Sequence, residues 1–343
     1  MNDNSKDLTF HSFKFNGQGG EYFKIWIVNL VLSILTLGIY SAWAKVRTTG
    51  YIYSNFNYQQ NHFDYLATGM MIFKSRIFVL LFFVLYVVAT QFYPLESLGF
   101  TAILFLLFPW AYYKSLRFNA RMMRYRNVRF NFKGTVGGAY GVFMGWGTLM
   151  IITGGLLLPL FLQKQFSYTI NNFYYGDKKF NNKTTAGLLY KIYFKFMGFI
   201  LLAILIMVLI GVAVSSQMTT LSEDDTLALT VAGLAFFYFL LFLSIPYFAA
   251  AIPNVIFPNT DIDNKHKFNS QYTMGGFLKI YLTYGLLMII TLGFAWPWFK
   301  MALLKYRATN ASLAITGDLS DITDNIKQTD SAIGDEFGDA FFE

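Results

Sequence analysis

Residues 19–47 have the sequence GGEYFKIWIVNLVLSILTLGIYSAWAKVR. This stretch contains the pattern from which the fold is predicted. Two glycines open an apolar segment, Thr36-Leu37-Gly38 interrupts it, and Trp43 and Lys45 follow. A Trp next to a basic residue is typical of a helix end at a membrane surface, and an internal Gly is a helix breaker. The stretch therefore predicts an apolar membrane helix that is broken at residues 36–38.

The same frame occurs twice more along the chain. Gly137-Gly138 precedes Thr153-Gly154-Gly155, and Gly275-Gly276 precedes Thr291-Leu292-Gly293. The distance from the first glycine to the threonine is 17, 16 and 16 residues in the three segments. The third segment also ends in a Trp and a Lys, whereas the second has Pro159-Leu160 at that place. Such spacing indicates an internal repeat of three glycine-framed units.

The composition of the chain is that of an integral membrane protein. Of its 343 residues 55% are hydrophobic and only 13% are charged, against about 25% charged in soluble domains. Four uncharged segments approach the roughly 20 residues that a spanning helix needs. These predicted spans are Ile77–Tyr93, Leu98–Tyr113, Phe196–Val214 and Leu227–Ala251.

The four spans form two hairpins, and charge predicts their orientation. Neither connection, residues 94–97 or residues 215–226, contains a Lys or an Arg. Residues 114–133 carry seven basic residues and no acid, and residues 163–195 carry six Lys against one Asp. By the positive-inside rule the basic segments and the C-terminus are cytoplasmic, and both connections face outward.

Two topologies remain open at this point. If the three glycine-framed units cross the bilayer, there are seven spans and the Lys-rich residues 163–195 lie outside. If each unit enters and leaves on the cytoplasmic side, every basic segment is inside. Such re-entrant backbone is tolerated where protein or a water-filled cavity covers it.

We therefore predict an all-α polytopic membrane protein. Two transmembrane hairpins alternate with three glycine-framed helical units, either spanning or re-entrant, and small cytoplasmic β-hairpins lie between them, one of them around Gly176-Asp177. Residues 1–18 form a polar N-terminal segment and residues 19–316 the membrane domain. Residues 317–343 carry eight acids against one Lys and are predicted to be a disordered acidic tail.

Residues 15–29, FNGQGGEYFKIWIVN, and their continuation through Thr36 to Arg47 resemble the YjgN-like family of bacterial inner-membrane proteins. Residues 275–307 carry a second, weaker copy, and the likeness extends over roughly residues 10–317. The resemblance implies a multi-pass protein of the bacterial cytoplasmic membrane. It implies no activity and no catalytic residues.

Two sets of candidate site residues follow. Broken helices expose backbone groups toward a substrate in many transporters, so the breaks supply substrate-path candidates: Thr36, Gly38, Thr153, Gly155, Thr291 and Gly293. Basic residues behind the helix ends attract anionic lipid. The lipid-headgroup candidates are Lys45, Arg47, Lys114, Arg117, Arg121, Arg124, Arg126, Arg129, Lys300, Lys305 and Arg307.

Several classes of site are not predicted. The chain has no Cys, and its three histidines, His11, His62 and His266, are far apart, so we expect neither a metal site nor a cofactor. No charged residue lies within a span, and no phosphate-binding loop or nucleophile motif occurs. We therefore expect no enzyme. The apolar spans beside the arginines argue for membrane rather than nucleic acid as the partner.

Two functions remain. The first hypothesis is a permease or channel-like protein for a small neutral or lipid-like solute, because interrupted helices mark binding sites in transporters. The alternative is a membrane scaffold that gathers anionic phospholipid or partner proteins through its basic cytoplasmic loops. The sequence does not identify a protein partner or a substrate.

Overall fold

The computed structural model describes residues 9–93, 97–215 and 222–316. The predicted acidic tail, residues 317–343, lies outside the described residues, as do residues 1–8 of the predicted polar segment and residues 94–96 and 216–221 of the two hairpin connections.

The described residues form helices that come in pairs. The helices are α1 (Gly19–Leu35), α2 (Ser41–Asn55), α3 (Gly69–Phe92), α4 (Ser97–Met122), α5 (Val136–Ile152, with a π-helical turn at Gly141–Trp146), α6 (Leu158–Asn171), α7 (Ala186–Ser215), α8 (Glu223–Ile256), α9 (Met274–Ile290) and α10 (Trp296–Thr309).

Short strands stand between the helix pairs. The strands are β1 (Phe10–Ser12), β2 (Lys14–Phe15), β3 (Phe56–Tyr58), β4 (Asn61–Tyr65), β5 (Met123–Tyr125), β6 (Val128–Phe132), β7 (Phe173–Tyr175), β8 (Lys178–Asn182), β9 (Thr260–Ile262), β10 (His266–Ser270) and β11 (Ala311–Ala314).

All these strands belong to one antiparallel sheet that is bent into a nearly closed ring, which we call the strand ring. The strand order is β1-β11-β10-β9-β8-β7-β6-β5-β4-β3-β2. Phe10 pairs with Ala314 at one end of this order and Phe15 pairs with Phe56 at the other. Because only Phe13 separates β1 from β2, and its amide donates to the Ala311 carbonyl at 3.1 Å, the two ends of the sheet meet.

The helices follow the ring. Each pair leaves the sheet after one strand and returns to it before the next. Each helix packs against its neighbours in chain order, and α1 also packs against α10. Trp298 of α10 lies against Gly19 of α1, where no side chain has room. The helices therefore close into a ring above the strand ring.

The prediction of an all-α fold is wrong. Strands are present where local β-hairpins were predicted, but they pair with one another across the helix pairs: Phe63 of β4 pairs with Tyr125 of β5, and Phe180 of β8 with Ile262 of β9. Strands of two to five residues are too short to show a clear alternation, and their partners lie far away in sequence. Their backbone groups nevertheless need partners, and the ring supplies them.

Among the described residues, three helices are long and apolar enough to cross a membrane. They are Gly69–Phe92, Ala186–Leu209 within α7, and Leu227–Ile256 within α8. They overlap three of the four predicted spans. The fourth, Leu98–Tyr113, lies in α4, whose last turns carry Lys114, Arg117 and Arg121. The three glycine-framed units are the shorter pairs α1/α2, α5/α6 and α9/α10, and both ends of each pair lie at the strand ring.

The three short pairs turn back in the same way. In each turn a threonine hydroxyl donates to the carbonyl four residues earlier and accepts from the amide four residues later, as in Leu32–Thr36–Tyr40. Gly38, Gly155 and Gly293 follow with φ near +90°, a conformation that is free of strain only for glycine. The polar groups of each turn are thus used within the turn.

Tyrosine hydroxyls also fasten each short pair at its base. Tyr168 of α6 donates to the Thr135 carbonyl at 2.8 Å, and Tyr306 of α10 accepts from the Thr273 amide at 3.0 Å. The tyrosine ring then lies against the second glycine of the pair, Gly138 or Gly276, where a Cβ would overlap it. These two glycines therefore allow close packing of the tyrosine ring against the helix, as small residues do where membrane helices approach each other closely.

A second set of tyrosines joins successive hairpins of the strand ring. The Tyr175 hydroxyl donates to the Tyr125 carbonyl at 3.0 Å, and the Tyr125 hydroxyl donates to the Tyr58 carbonyl at 2.7 Å. The Tyr58 hydroxyl donates in turn to the Leu313 carbonyl at 2.8 Å. This tyrosine chain links β7, β5, β3 and β11 through buried hydrogen bonds.

Adding one methyl group at Gly276 should destabilise the protein, while the same change at Gly275 should not. Gly276→Ala overlaps the Tyr306 ring, and overpacking costs about 1–3 kcal/mol. Gly275→Ala meets nothing within 4 Å and replaces a helical glycine, which is neutral or favourable. We expect a lower unfolding temperature only for Gly276→Ala in mild detergent. Equal unfolding temperatures for the two variants would contradict the packing role.

Removing one hydroxyl from the tyrosine chain should also lower stability. Tyr175→Phe leaves the buried Tyr125 carbonyl without its donor, at a cost of about 1–3 kcal/mol. Tyr174→Phe is the matched control, because the neighbouring ring points to the other face of β7 and stacks under Lys133. Thermal unfolding should separate the two variants. If Tyr174→Phe lowered the unfolding temperature as much as Tyr175→Phe, the hydrogen bonds of the tyrosine chain would not be what stabilises the strand ring.

Candidate binding cavity

The strand ring has an aromatic inside and a polar outside. Alternate residues of a strand face opposite sides of the sheet. The last residues of β3, β5 and β7 point inward, and these are Tyr58, Tyr125 and Tyr175. The residue before each of them points outward, and these are Asn57, Arg124 and Tyr174. Phe63, Phe130, Phe180 and Phe268 continue the inner face around the ring. The rings stack on one another, with Phe180 and Phe268 centred 5.9 Å apart.

These side chains enclose a cavity of about 420 Å³, within the range of sites for small molecules. We call it the ring cavity. Its wall is almost wholly apolar, and Arg307 is its one charged lining residue among those the structure describes. The lining residues are Phe13, Phe56, Tyr58, Phe63, Met123, Tyr125, Phe130, Phe173, Tyr175, Phe180, Phe257, Ile262, Phe268, Tyr272, Leu304, Arg307, Ala311 and Leu313.

Two side cavities share walls with the ring cavity. One of about 280 Å³ lies against Thr169, Ile256 and four of the same phenylalanines. The other, of about 190 Å³, lies against Ile52 and Tyr53. Both contain residues from the last turn of a returning helix, α2, α6 or α8. The apolar space therefore extends from the strand ring toward the helix ends.

The charge states inside the ring follow from burial. Burial raises the pKa of Tyr58, Tyr125 and Tyr175 above the ordinary value for tyrosine. Burial also raises the pKa of Tyr272 to about 12, against the opposing effect of Arg307. These hydroxyls are thus neutral at physiological pH and serve as hydrogen-bond donors.

The outer face carries paired charges. Lys183 lies 3.0 Å from Asp261, and Arg124 lies 3.0 Å from Asp64. Burial alone would raise the pKa of Asp261, but hydrogen bonds from Lys183 and Asn181 outweigh it and hold that pKa below its usual value. At the edge of β10, burial and the charge of Lys265 lower the pKa of His266, whose Nδ1 accepts from the Thr316 amide at 3.1 Å.

The predicted substrate-path residues lie away from this cavity, in the turns of the short pairs. Thr36, Thr153 and Thr291 are bonded within their own turns, as are the amides of Gly38, Gly155 and Gly293. The turns carry apolar side chains outward, and Leu37 and Leu292 are 94% and 89% exposed. A role in a substrate path stays a prediction for these six residues.

The predicted lipid-headgroup residues fall into several places. Lys45 and Arg47 lie on α2, where Arg47 donates to Tyr40 and to Asn29. Asn29 is buried and donates to the Ala44 carbonyl and to Thr48, so it makes hydrogen bonds across this helix pair. Lys114, Arg117 and Arg121 lie on the last turns of α4.

The remaining basic candidates divide between the strands and α10. Arg124 and Arg129 are register partners in β5 and β6, and Arg126 is exposed in the turn between them. On α10, Lys300 donates to the Tyr22 hydroxyl at 3.3 Å, Lys305 faces a groove beside Lys279, and Arg307 faces the ring cavity. The structure therefore does not bring the eleven residues together, and lipid binding by them stays a prediction.

Sequence reasoning missed the inner residues of the ring. The available signal was a tyrosine at the third residue of three successive first strands, Tyr58, Tyr125 and Tyr175, but without the strand partners it could not be interpreted. Among the described residues no group of three His, Cys, Asp or Glu could hold a metal ion.

Comparisons with known proteins identify the family. A family model described as "Bacterial protein of unknown function (DUF898)" matches residues 10–340. "Inner membrane protein YjgN" of Salmonella typhimurium strain LT2 is 29% identical over 93% of this chain and 91% of its own length. The proteins of that name from Escherichia coli O157:H7 and K12 are each 26% identical over 93% of this chain and 92% of theirs.

No solved structure matches the chain significantly. The resemblance to the YjgN-like family is confirmed by these matches, which run through the strand ring and all the helix pairs. The chain therefore belongs to the DUF898 family and is a bacterial inner membrane protein.

Proposed function

We propose that the protein binds a small neutral or lipid-like solute in the ring cavity and acts as a permease or channel-like protein for it. The observation that carries the proposal is an apolar cavity of about 420 Å³ surrounded by every hairpin of the strand ring. A cavity lined mostly by aromatic rings offers few partners for a solute that is strongly hydrated over its whole surface. The protein would act by binding and passage rather than by catalysis.

The proposal includes a topology in which the strand ring lies at the cytoplasmic face. The basic segments are next to the ring, and the positive-inside rule places such segments in the cytoplasm. All five helix pairs would then enter and leave the membrane on that side. The two long pairs would cross it and come back, which makes the protein multi-pass.

Helix lengths support re-entry of the short pairs. In α1 only 11 residues, Ile25 to Leu35, separate Lys24 from the turn, and in α9 only 11, Ile280 to Ile290, separate Lys279 from the turn. At 1.5 Å per residue these segments extend roughly 16 Å, about half of the 30 Å hydrocarbon core. In α7 the 20 residues from Phe196 to Ser215 extend about 30 Å.

Matching bonds support the reading of the short pairs as an internal repeat. The threonine of each turn makes the same two hydrogen bonds, and a tyrosine near the end of each returning helix contacts the start of its partner helix. The three units thus share one design, and the strand ring to which all of them return surrounds the cavity.

The alternative is a scaffold that holds anionic phospholipid or a partner protein through basic cytoplasmic loops. Arg126 favours it, because this residue is exposed in a hairpin turn of the strand ring. Arg124 does not, since Asp64 already neutralises it. Loss of lipid or partner capture in Arg126→Gln, with solute binding intact, would favour the scaffold.

Single cysteines should report the topology, because the chain has no cysteine of its own. In intact cells a membrane-impermeant thiol reagent should label Asp224→Cys, at the start of α8, and should label Asp177→Cys only after permeabilisation. Leu37→Cys, at the turn of the first short pair, should react under neither condition because it would lie within the bilayer. Labelling of Leu37→Cys from outside would show a full span instead.

Filling the ring cavity should abolish solute binding without unfolding the protein. The probe is 1-dodecanol, added to the full chain in phosphatidylcholine nanodiscs. Saturation at about 100 times the Kd should stabilise the protein by about 2.7 kcal/mol, seen as a raised unfolding temperature. Met123→Trp, which fills the cavity wall, should lose this shift.

Tyr174→Trp is the matched control for the cavity-filling variant, since it adds a ring of the same kind to the outer face of the strand ring. It should keep the shift produced by 1-dodecanol. If the wild type shows no shift, or if both variants keep it, the ring cavity is not the site at which the solute binds.

A further inference from the structure

The ring cavity contains one cation whose position has uncharged counterparts around the ring. Counting back four residues from the first strand after each helix pair gives five equivalent positions in the last turn of the returning helix. These positions are Ile52, Asn119, Thr169, Ile256 and Arg307. Ile52, Thr169 and Ile256 line the side cavities, and Arg307 lines the ring cavity.

Arg307 is therefore an inward position, and nothing in the described chain neutralises it. No carboxylate among the described residues lies within ion-pair distance of its guanidinium. Its nearest defined partner is the Phe277 ring, with Cζ 6.0 Å from the ring centre. The backbone carbonyl of Arg307, which the Tyr272 hydroxyl reaches at 3.0 Å, fixes the helix end that carries it.

A single charged residue in an otherwise apolar cavity wall is suited to hold the polar end of a ligand, because small-molecule sites combine apolar walls with a few placed polar groups. If position 307 served only to pack the helix end against the strand ring, an uncharged side chain like those at the other four positions would be enough. Arg307 is an exposed residue, so its side chain is accessible to a group that enters the cavity. Arginine pairs with carboxylate and phosphate oxygens through two parallel hydrogen bonds.

We propose that the ligand of the ring cavity is an amphipathic monoanion, a single alkyl chain that ends in a carboxylate. The chain lies among the aromatic side chains, and the carboxylate accepts hydrogen bonds from Arg307. This inference rests on the proposed function, because it names the class of solute that the same cavity takes. It narrows the solute from neutral or lipid-like to an anionic amphiphile.

The geometry supports this orientation of the ligand. Arg307 lies one turn before β11, at the helix side of the strand ring, together with Leu304 and Tyr272. Phe130, Phe173 and Tyr175 lie on β6 and β7, which are four to five strands away from β11 in the strand order, and they carry no charge. A carboxylate placed at Arg307 thus leaves the alkyl chain facing only apolar surface.

The test compares dodecanoate with 1-dodecanol, which has the same chain and no charge. Equilibrium binding of each radiolabelled probe is measured on the full chain in phosphatidylcholine nanodiscs at neutral pH, with empty nanodiscs subtracted. We expect dodecanoate to bind at least tenfold more tightly than 1-dodecanol, since hydrogen bonds to charged groups are strong.

Arg307→Gln should reduce dodecanoate affinity by at least tenfold and leave that of 1-dodecanol unchanged. Lys305→Gln is the matched control: it removes the same charge from the same helix, but its side chain faces the groove beside Lys279 rather than the ring cavity. It should change neither affinity. Arg307→Lys should restore only part of the loss, because an ammonium does not form the paired bonds.

The outcomes separate the two proposals. If both probes bind with equal affinity and Arg307→Gln changes nothing, the ligand class is wrong but the cavity still binds solute. If neither probe binds above empty nanodiscs, both the ligand class and the proposed function fail. If Lys305→Gln weakens dodecanoate binding as much as Arg307→Gln, the effect is general attraction of the anion to a basic surface, which overturns the inference.

Discussion

Closure of the strand ring is the constraint on which the rest of the structure depends. Its strands have two to five residues, and a hairpin of that length is not stable by itself in water. Each hairpin presents two edges, and unpaired edges are a liability. The sequence resolves this by placing β1 and β2 on either side of Phe13, so that one short segment pairs with β11 and with β3. Every helix pair is then held at both ends.

Ring closure also explains the character of the inner face. Once the hairpins form a ring, their inward residues are crowded around one axis and must be apolar or hydrogen-bonded. Phenylalanines meet the first condition. Tyr58, Tyr125 and Tyr175 meet the second, because each hydroxyl reaches a carbonyl of another hairpin. The side chains do not fill the interior completely, and the space that remains is the ring cavity.

Much of the membrane part could be predicted from the sequence, and the sheet could not. Long uncharged runs such as Phe196–Val214 predict helices that are long and apolar enough to cross a membrane, and the turn at Thr291-Leu292-Gly293 is signalled by its glycine and threonine. Tyr58, by contrast, donates to a carbonyl 255 residues away. No local pattern contains that information. The basic candidates are dispersed in the fold for the same reason: Arg126 lies in a hairpin turn and Arg307 at the ring cavity, although both follow a tyrosine in the sequence.

The ring is regular in its backbone and irregular in its side chains, and the irregularity is where specificity can arise. The third residue of the first strand after each helix pair is Tyr58, Tyr125, Tyr175, Ile262 and Leu313 in turn. The tyrosine chain therefore fastens one side of the ring, whereas the side with Ile262 has no hydroxyl at this position. Arg307 precedes Leu313 at the end of the chain of hydroxyls. A symmetric ring of aromatic residues would accept apolar molecules in any orientation. The absence of a tyrosine at positions 262 and 313, together with the cation Arg307 next to this part of the ring, gives the cavity a direction. An oriented amphipathic ligand requires this property.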